Sequence, residues 1–199
     1  MNALNTKRVS LIAVLSAATV VVSYARGLSV VLPGIVEFMT VMIFVSGFCF
    51  GWAVGVPVGF IAVILYMIIP YPFAHPAAWI YSISPLLLII MGLLGVMYGV
   101  VGALLGKVQG PVKVSPRFII EMAVVGFILT FLYDVLSSIG FYLAYPVYPS
   151  VWEALYLTFV PLFYVYPPII HTVTNTIVFA TVAPALILGL QHFRLQEDT

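Results

Sequence analysis

Charge is the scarcest feature of this sequence. Its 199 residues include only 7 Lys or Arg and 6 Asp or Glu, 7% of the chain, where a soluble domain carries about a quarter. At a formal net charge of +1 there is no electrostatic basis for binding nucleic acid. The single cysteine, Cys49, excludes an internal disulfide and reads as a small packing residue within an apolar run. No GxxxxGK[ST] phosphate loop or other nucleotide fingerprint is present. HExxH, His/Cys clusters at metal spacing and the GxSxG elbow are also missing. Ser137 or Ser138 with His171 and Asp134 could in principle make an intramembrane hydrolase, but no spacing supports it. The chain is therefore expected not to be an enzyme and to need neither metal nor cofactor. If it moves a solute uphill, the energy must come from another chain or from an ion gradient.

Hydrophobic residues make up 64% of the chain, and mean hydropathy is +1.23. Runs of this kind read as membrane helices, each about 20 residues long. The expected architecture is an all-α integral membrane protein, residues 1–199 forming one six-helix transmembrane domain. The spans read as about Val9–Ala25, Val36–Phe50, Ala53–Ile69, Ile83–Leu105, Phe118–Leu143 and Pro167–Leu190. Gly51-Trp52 turns span two tightly into span three. Trp152–Tyr156, inside the longest loop, reads as a short interfacial helix.

The few basic residues orient this layout. Lys7, Arg8, Lys107, Lys113, Arg117 and Arg194 fall on one side, and only Arg26 on the other. That bias places both termini and the Lys107–Arg117 loop in the cytoplasm, with the chain in the cell membrane. The outer loops then gather aromatics, among them Trp79, Trp152 and Tyr164, more densely than an interfacial belt requires. Glu37, Asp134, Glu153, His75 and His171 lie on the same outer side. Glu121, one turn after Arg117, reads instead as the ion-pair partner of that arginine.

Span six opens on Tyr166-Pro-Pro-Ile-Ile-His-Thr-Val-Thr-Asn175. A proline suits the first turn, where the N–H has no helical partner, and His171 and Asn175 then share one face. Asp134 lies about nine residues before the outer end of span five, roughly 13 Å deep, and Asn175 is similarly deep. Two readings stand for such residues: a ligand pocket open to the outside, or interhelical hydrogen-bond glue. The pocket reading takes Asp134, His171 and Asn175 as its polar core, closed by aromatics of the outer loops. Glu37, His75, Trp79, Trp152 and Tyr164 are further candidates, and Arg26 is the candidate partner for a ligand carboxylate or phosphate. Stacking on Trp79, Trp152 or Tyr164 would suit a flat heterocycle.

Small residues recur at helical spacing: Gly47, Gly51, Gly55 and Gly59, then Gly92, Gly95, Gly99, Gly102 and Gly106. They read as close helix packing in lipid. Ala13 and Ala17 sit four apart in span one.

With six spans, cytoplasmic termini, a Gly-rich turn between spans two and three and the His-x-x-x-Asn face, the chain resembles the substrate-binding S component of an energy-coupling factor vitamin transporter. The family's AxxxA signature falls on Ala13-Val-Leu-Ser-Ala17. The resemblance implies that Ala13 and Ala17 pack against a transmembrane T component, which works with two cytoplasmic ATPases. It also implies capture of a vitamin-like small molecule from outside, followed by toppling of the whole subunit on docking. A structural membrane subunit and an ion-coupled carrier are the alternatives.

Overall fold

The structure is a computed structural model, described here over residues 3–27, 37–69, 84–145, 147–159 and 168–193. Seven α-helices carry those residues: α1 Ala3–Gly27, α2 Phe38–Phe50, α3 Trp52–Ile68, α4 Pro85–Gln109, α5 Pro116–Ala144, α6 Val151–Phe159 and α7 Pro168–Leu190. A 3-10 turn, Gln191–Phe193, follows α7. No strand occurs among the described residues.

Local chemistry sets the helix ends. Ser84 and Ser115 accept hydrogen bonds from the backbone N–H groups of Leu87 (3.3 Å) and Phe118 (3.2 Å), and a proline follows each serine. Serine caps an orphan N–H, and proline has none to leave orphaned. Ser150 caps α6 in the same way, accepting from Glu153 N–H at 3.2 Å. Between α2 and α3, Gly51 adopts φ 77°, which a side chain would resist.

Among the described residues four helices are long and apolar enough to cross a membrane: α1, α4, α5 and α7. Six such spans were expected, and α2 and α3 fall short, with 13 and 17 residues. At a rise of 1.5 Å per residue, 13 residues cover about 20 Å, less than the about 30 Å of a hydrocarbon core. The reason for the short α2 is its place. From Thr40 to Phe50 all but Met42 are buried, so it is the central rod of the bundle. A helix that is apolar all round belongs inside.

α4 packs mainly on α2 and α3, α5 packs mainly on α7, and α1 lies against α2 and α3. The glycine stripe makes the first of these contacts possible. A Cβ at Gly99 would collide with the Gly55 carbonyl, and one at Gly95 with the Gly59 carbonyl. Phe44, Tyr98 and Phe179, all fully buried, join α2, α4 and α7 at the centre. The Phe44 and Phe179 rings meet edge-on at 5.3 Å. At the end of the bundle that carries the basic residues, Arg117 Nε donates to Glu121 at 2.8 Å, the expected pairing, and Gln109 Nε2 donates to the other carboxylate oxygen at 2.9 Å.

Candidate polar site at the head of α2 and α7

Four of the residues singled out from the sequence come together at the opposite end of the bundle. Glu37 precedes α2, Asp134 comes from the distal half of α5, and His171 and Asn175 sit one turn apart on α7. His171 Nδ1 lies 2.8 Å from Asp134 Oδ1, and Thr172 Oγ1 donates to Asp134 Oδ2 at 3.1 Å. Asn175 Nδ2 lies 3.0 Å from His171 Nε2. The Glu37 backbone N–H donates to Asn175 Oδ1 at 3.0 Å. The Glu37 carboxylate is 3.5 Å from His171 Nε2.

These contacts form one directed chain. The Glu37 N–H can only donate, so Asn175 must present its oxygen there and its amide nitrogen to His171. Nδ1–H donates to Asp134, and Nε2 lies between the Asn175 amide nitrogen and the Glu37 carboxylate. Both Asp134 oxygens accept, as an ionised carboxylate does. Asp134 is buried and Asn175 is fully so, 7% and 0% exposed, so their hydrogen bonds are not shared with solvent. The Tyr133 ring packs edge-on to the imidazole at 6.4 Å and backs the site.

Glu37 has extended backbone, φ −112° and ψ 108°, and its side chain makes no capping hydrogen bond to α2. Asn175 Oδ1 instead accepts from the N–H of Glu37 itself, tying α7 to the residue that precedes α2. The carboxylate still sits at the positive end of the α2 dipole, which favours its charge.

Other expected site residues are not brought into this cluster. His75, Trp79 and Tyr164 lie outside the described residues, as does the side chain of Arg26, whose backbone belongs to the last turn of α1. Trp152 was expected to line the pocket, but it is 77% exposed on α6. α6 turns Ala154 inward, 1% exposed, and Phe159 against Phe131, which leaves Trp152 facing out. Ala13 and Ala17 are exposed on α1, on a face turned away from the other helices.

Three residues near the cluster were missed. Thr172 sits about 100° round the helix from His171, and threonine is too common in apolar helices to stand out. Thr130 lies one turn before Asp134 on the same face. Tyr98 did carry a signal, as the one side chain with a polar atom between Pro85 and Gly106. Among the described residues no group of three His, Cys, Asp or Glu is placed to hold a metal ion. No protein-family model, curated protein or solved structure matches this chain.

Proposed function

We propose that the chain is the substrate-capture subunit of an ATP-driven importer of the energy-coupling factor type, binding a vitamin or related micronutrient from outside the cell. The observation that carries this reading is the convergence of Glu37, Asp134, His171 and Asn175 from three separate elements of an otherwise apolar bundle. Ionisable groups inside a membrane protein are costly, and they mark ligand or ion sites by default. The cluster sits at the end opposite the basic Lys107–Arg117 connection, which the positive-inside bias assigns to the cytoplasm. In this reading α2 and α3 complete a six-span layout with both termini cytoplasmic. The exposed Ala13/Ala17 face of α1 meets the transmembrane T component, and two cytoplasmic ATPases supply the energy that no motif of this chain supplies.

A second reading has one observation in its favour. The hydrogen-bond chain from Glu37 to Asp134 is closed within the protein, as helix-binding glue would be. Mass spectrometry of small molecules released from the purified protein separates the two. A defined compound released in stoichiometric amount, and lost in Asp134→Asn, supports capture. Protein that releases nothing and takes up nothing with a T component and ATPases in vesicles is a structural subunit.

A further inference from the structure

One nitrogen of the cluster faces two incompatible partners. His171 Nδ1 is committed, 2.8 Å from Asp134 Oδ1. Nε2 has two polar neighbours: the Asn175 amide nitrogen at 3.0 Å and Glu37 Oε2 at 3.5 Å. An amide nitrogen only donates, so the Asn175 contact needs a lone pair on Nε2. An ionised carboxylate only accepts, so the Glu37 contact needs a proton there. No single protonation state meets both demands. With the lone pair in place, Asn175 bonds and Glu37 stays outside the roughly 2.7–3.2 Å of an N–H···O bond. With the proton in place, Glu37 closes on Nε2 and the Asn175 amide nitrogen has to turn away.

Turning that amide acts on the head of α2. Asn175 Oδ1 accepts from the Glu37 N–H at 3.0 Å, so the backbone and the carboxylate of Glu37 respond to the same event. The two ends of the cluster also differ in access to water. Side-chain exposure falls from 21% at Glu37 to 11% at His171 and 8% at Asp134. A proton therefore enters by way of Glu37, and it needs no cavity. The Glu37 carboxylic acid hands its proton to Nε2: the O–H bond breaks, the N–H bond forms, and a carboxylate is left against an imidazolium. The other titratable groups around the ring are engaged elsewhere. Asp134 holds Nδ1, and Tyr133 meets the ring edge-on at 6.4 Å. Tyr98 of α4 pairs its hydroxyl with Thr130, and Glu153 and Tyr156 of α6 are exposed.

We propose that His171 Nε2 is a proton-binding site filled through Glu37, and that the bound proton exchanges the Asn175–imidazole bond for a charge-assisted Glu37–imidazolium bond. Ionisable groups at membrane depth are the usual material of proton relays. The inference goes beyond the capture reading, since the exchange requires neither a small-molecule substrate nor a T component.

The test is nitrogen NMR across pH on the full-length chain in lipid nanodiscs, labelled at histidine and glutamate. His75→Gln and His192→Gln leave His171 as the one histidine of the three. Nδ1 should stay protonated throughout, while Nε2 passes from imidazolium at low pH to a lone pair at high pH. The Glu37 backbone amide, assigned by its loss in Glu37→Gln, should shift along the same curve. Glu37→Gln keeps the backbone N–H and the size of the side chain, so the tie to Asn175 survives. At equal pH the ratio of protonated to neutral Nε2 should fall at least about tenfold in that variant, the usual effect of removing an opposite charge at this range. An Nε2 that holds one state across the pH range in which the chain stays folded would overturn the proposal. So would a Glu37 amide that ignores the Nε2 titration, or a ratio unchanged in Glu37→Gln. The pH profiles of Nε2 and of the amide are read with Glu37 in place, so they decide the matter even if the variant fails to fold. Failure of the capture reading looks different. These shifts in a chain that binds and takes up nothing keep the proton site and remove the importer. Uptake by a chain without them does the reverse.

Discussion

The backbone N–H of Glu37 and the side chain of Asn175 are joined at 3.0 Å, across 138 positions of sequence. This one bond decides the chemistry of the cluster, because it turns the Asn175 amide nitrogen toward His171. His171 should therefore keep a proton on Nδ1, donated to Asp134, with Nε2 set between the Asn175 amide and the Glu37 carboxylate. Nitrogen NMR of the chain labelled at histidine reads the tautomer directly. A resonance pair typical of the neutral Nε2–H tautomer would show that Asn175 faces the other way.

Asn175 and Asp134 should respond differently to substitution. Asn175→Leu leaves the Glu37 N–H and His171 Nε2 without their buried partner. An unsatisfied buried group costs about 1–3 kcal/mol, so the variant should melt measurably lower in detergent. Asp134→Asn keeps shape and replaces one accepting oxygen by an amide nitrogen. Its fold should survive, and, if the chain captures a small molecule as proposed, affinity for that molecule should fall about tenfold to a hundredfold in a ligand titration. Unchanged affinity would make Asp134 a helix-joining residue.

Much of this arrangement was legible in advance, for definite reasons. His171 and Asn175 stood out because a polar pair at helical spacing is unusual where the surrounding residues suit hydrocarbon. Gly95 and Gly99 stood out because small residues at four-residue spacing have few uses besides close helix approach. The burial of α2 inside the bundle was not legible. An apolar run reads the same whether lipid or protein surrounds it, and the contacts of Phe44 and Phe48 with other helices decide the matter. Thr130 was hidden because one hydroxyl in an apolar helix ordinarily bonds back to the preceding turn, as Thr19 does to the Leu15 carbonyl at 2.7 Å.

The glycine stripe predicts a contrast. In Gly99→Ala the new methyl meets the Gly55 carbonyl, a backbone atom that cannot swing away. Overpacking of this kind costs about 1–3 kcal/mol. At Gly189 nothing lies within 4 Å of the added methyl. Gly189→Ala should be neutral or should gain up to about 1 kcal/mol from helix propensity. Thermal denaturation of the two variants side by side checks the difference.

Topology is open to a direct test at Lys113, which is exposed in the α4–α5 connection. Lys113→Cys should react with a membrane-impermeant thiol reagent only after the membrane is opened. Cys49 is 2% exposed and should stay silent. Labelling of Lys113→Cys in intact cells would invert the layout and place the polar cluster inside.

Ala13 and Ala17 give the sharpest test of partnership. Both are exposed on α1, beside Val14 and Val21, which are 63% and 65% exposed. On the opposite side of the helix, Leu15, Ser16, Thr19 and Val20 are buried against the bundle. A bulky residue at position 13 therefore meets nothing among the described residues, and Ala13→Trp should melt within about 0.5 kcal/mol of the parent, as exposed substitutions usually do. If a second helix packs there, its backbone can approach only over small side chains, and the indole would hold it off. Ala13→Trp should then keep ligand affinity and lose both co-purification with the T component and uptake in vesicles. Ala13→Gly should keep all three. Full uptake by Ala13→Trp would place the partner surface elsewhere, and loss of ligand binding together with uptake would assign α1 to the integrity of the site.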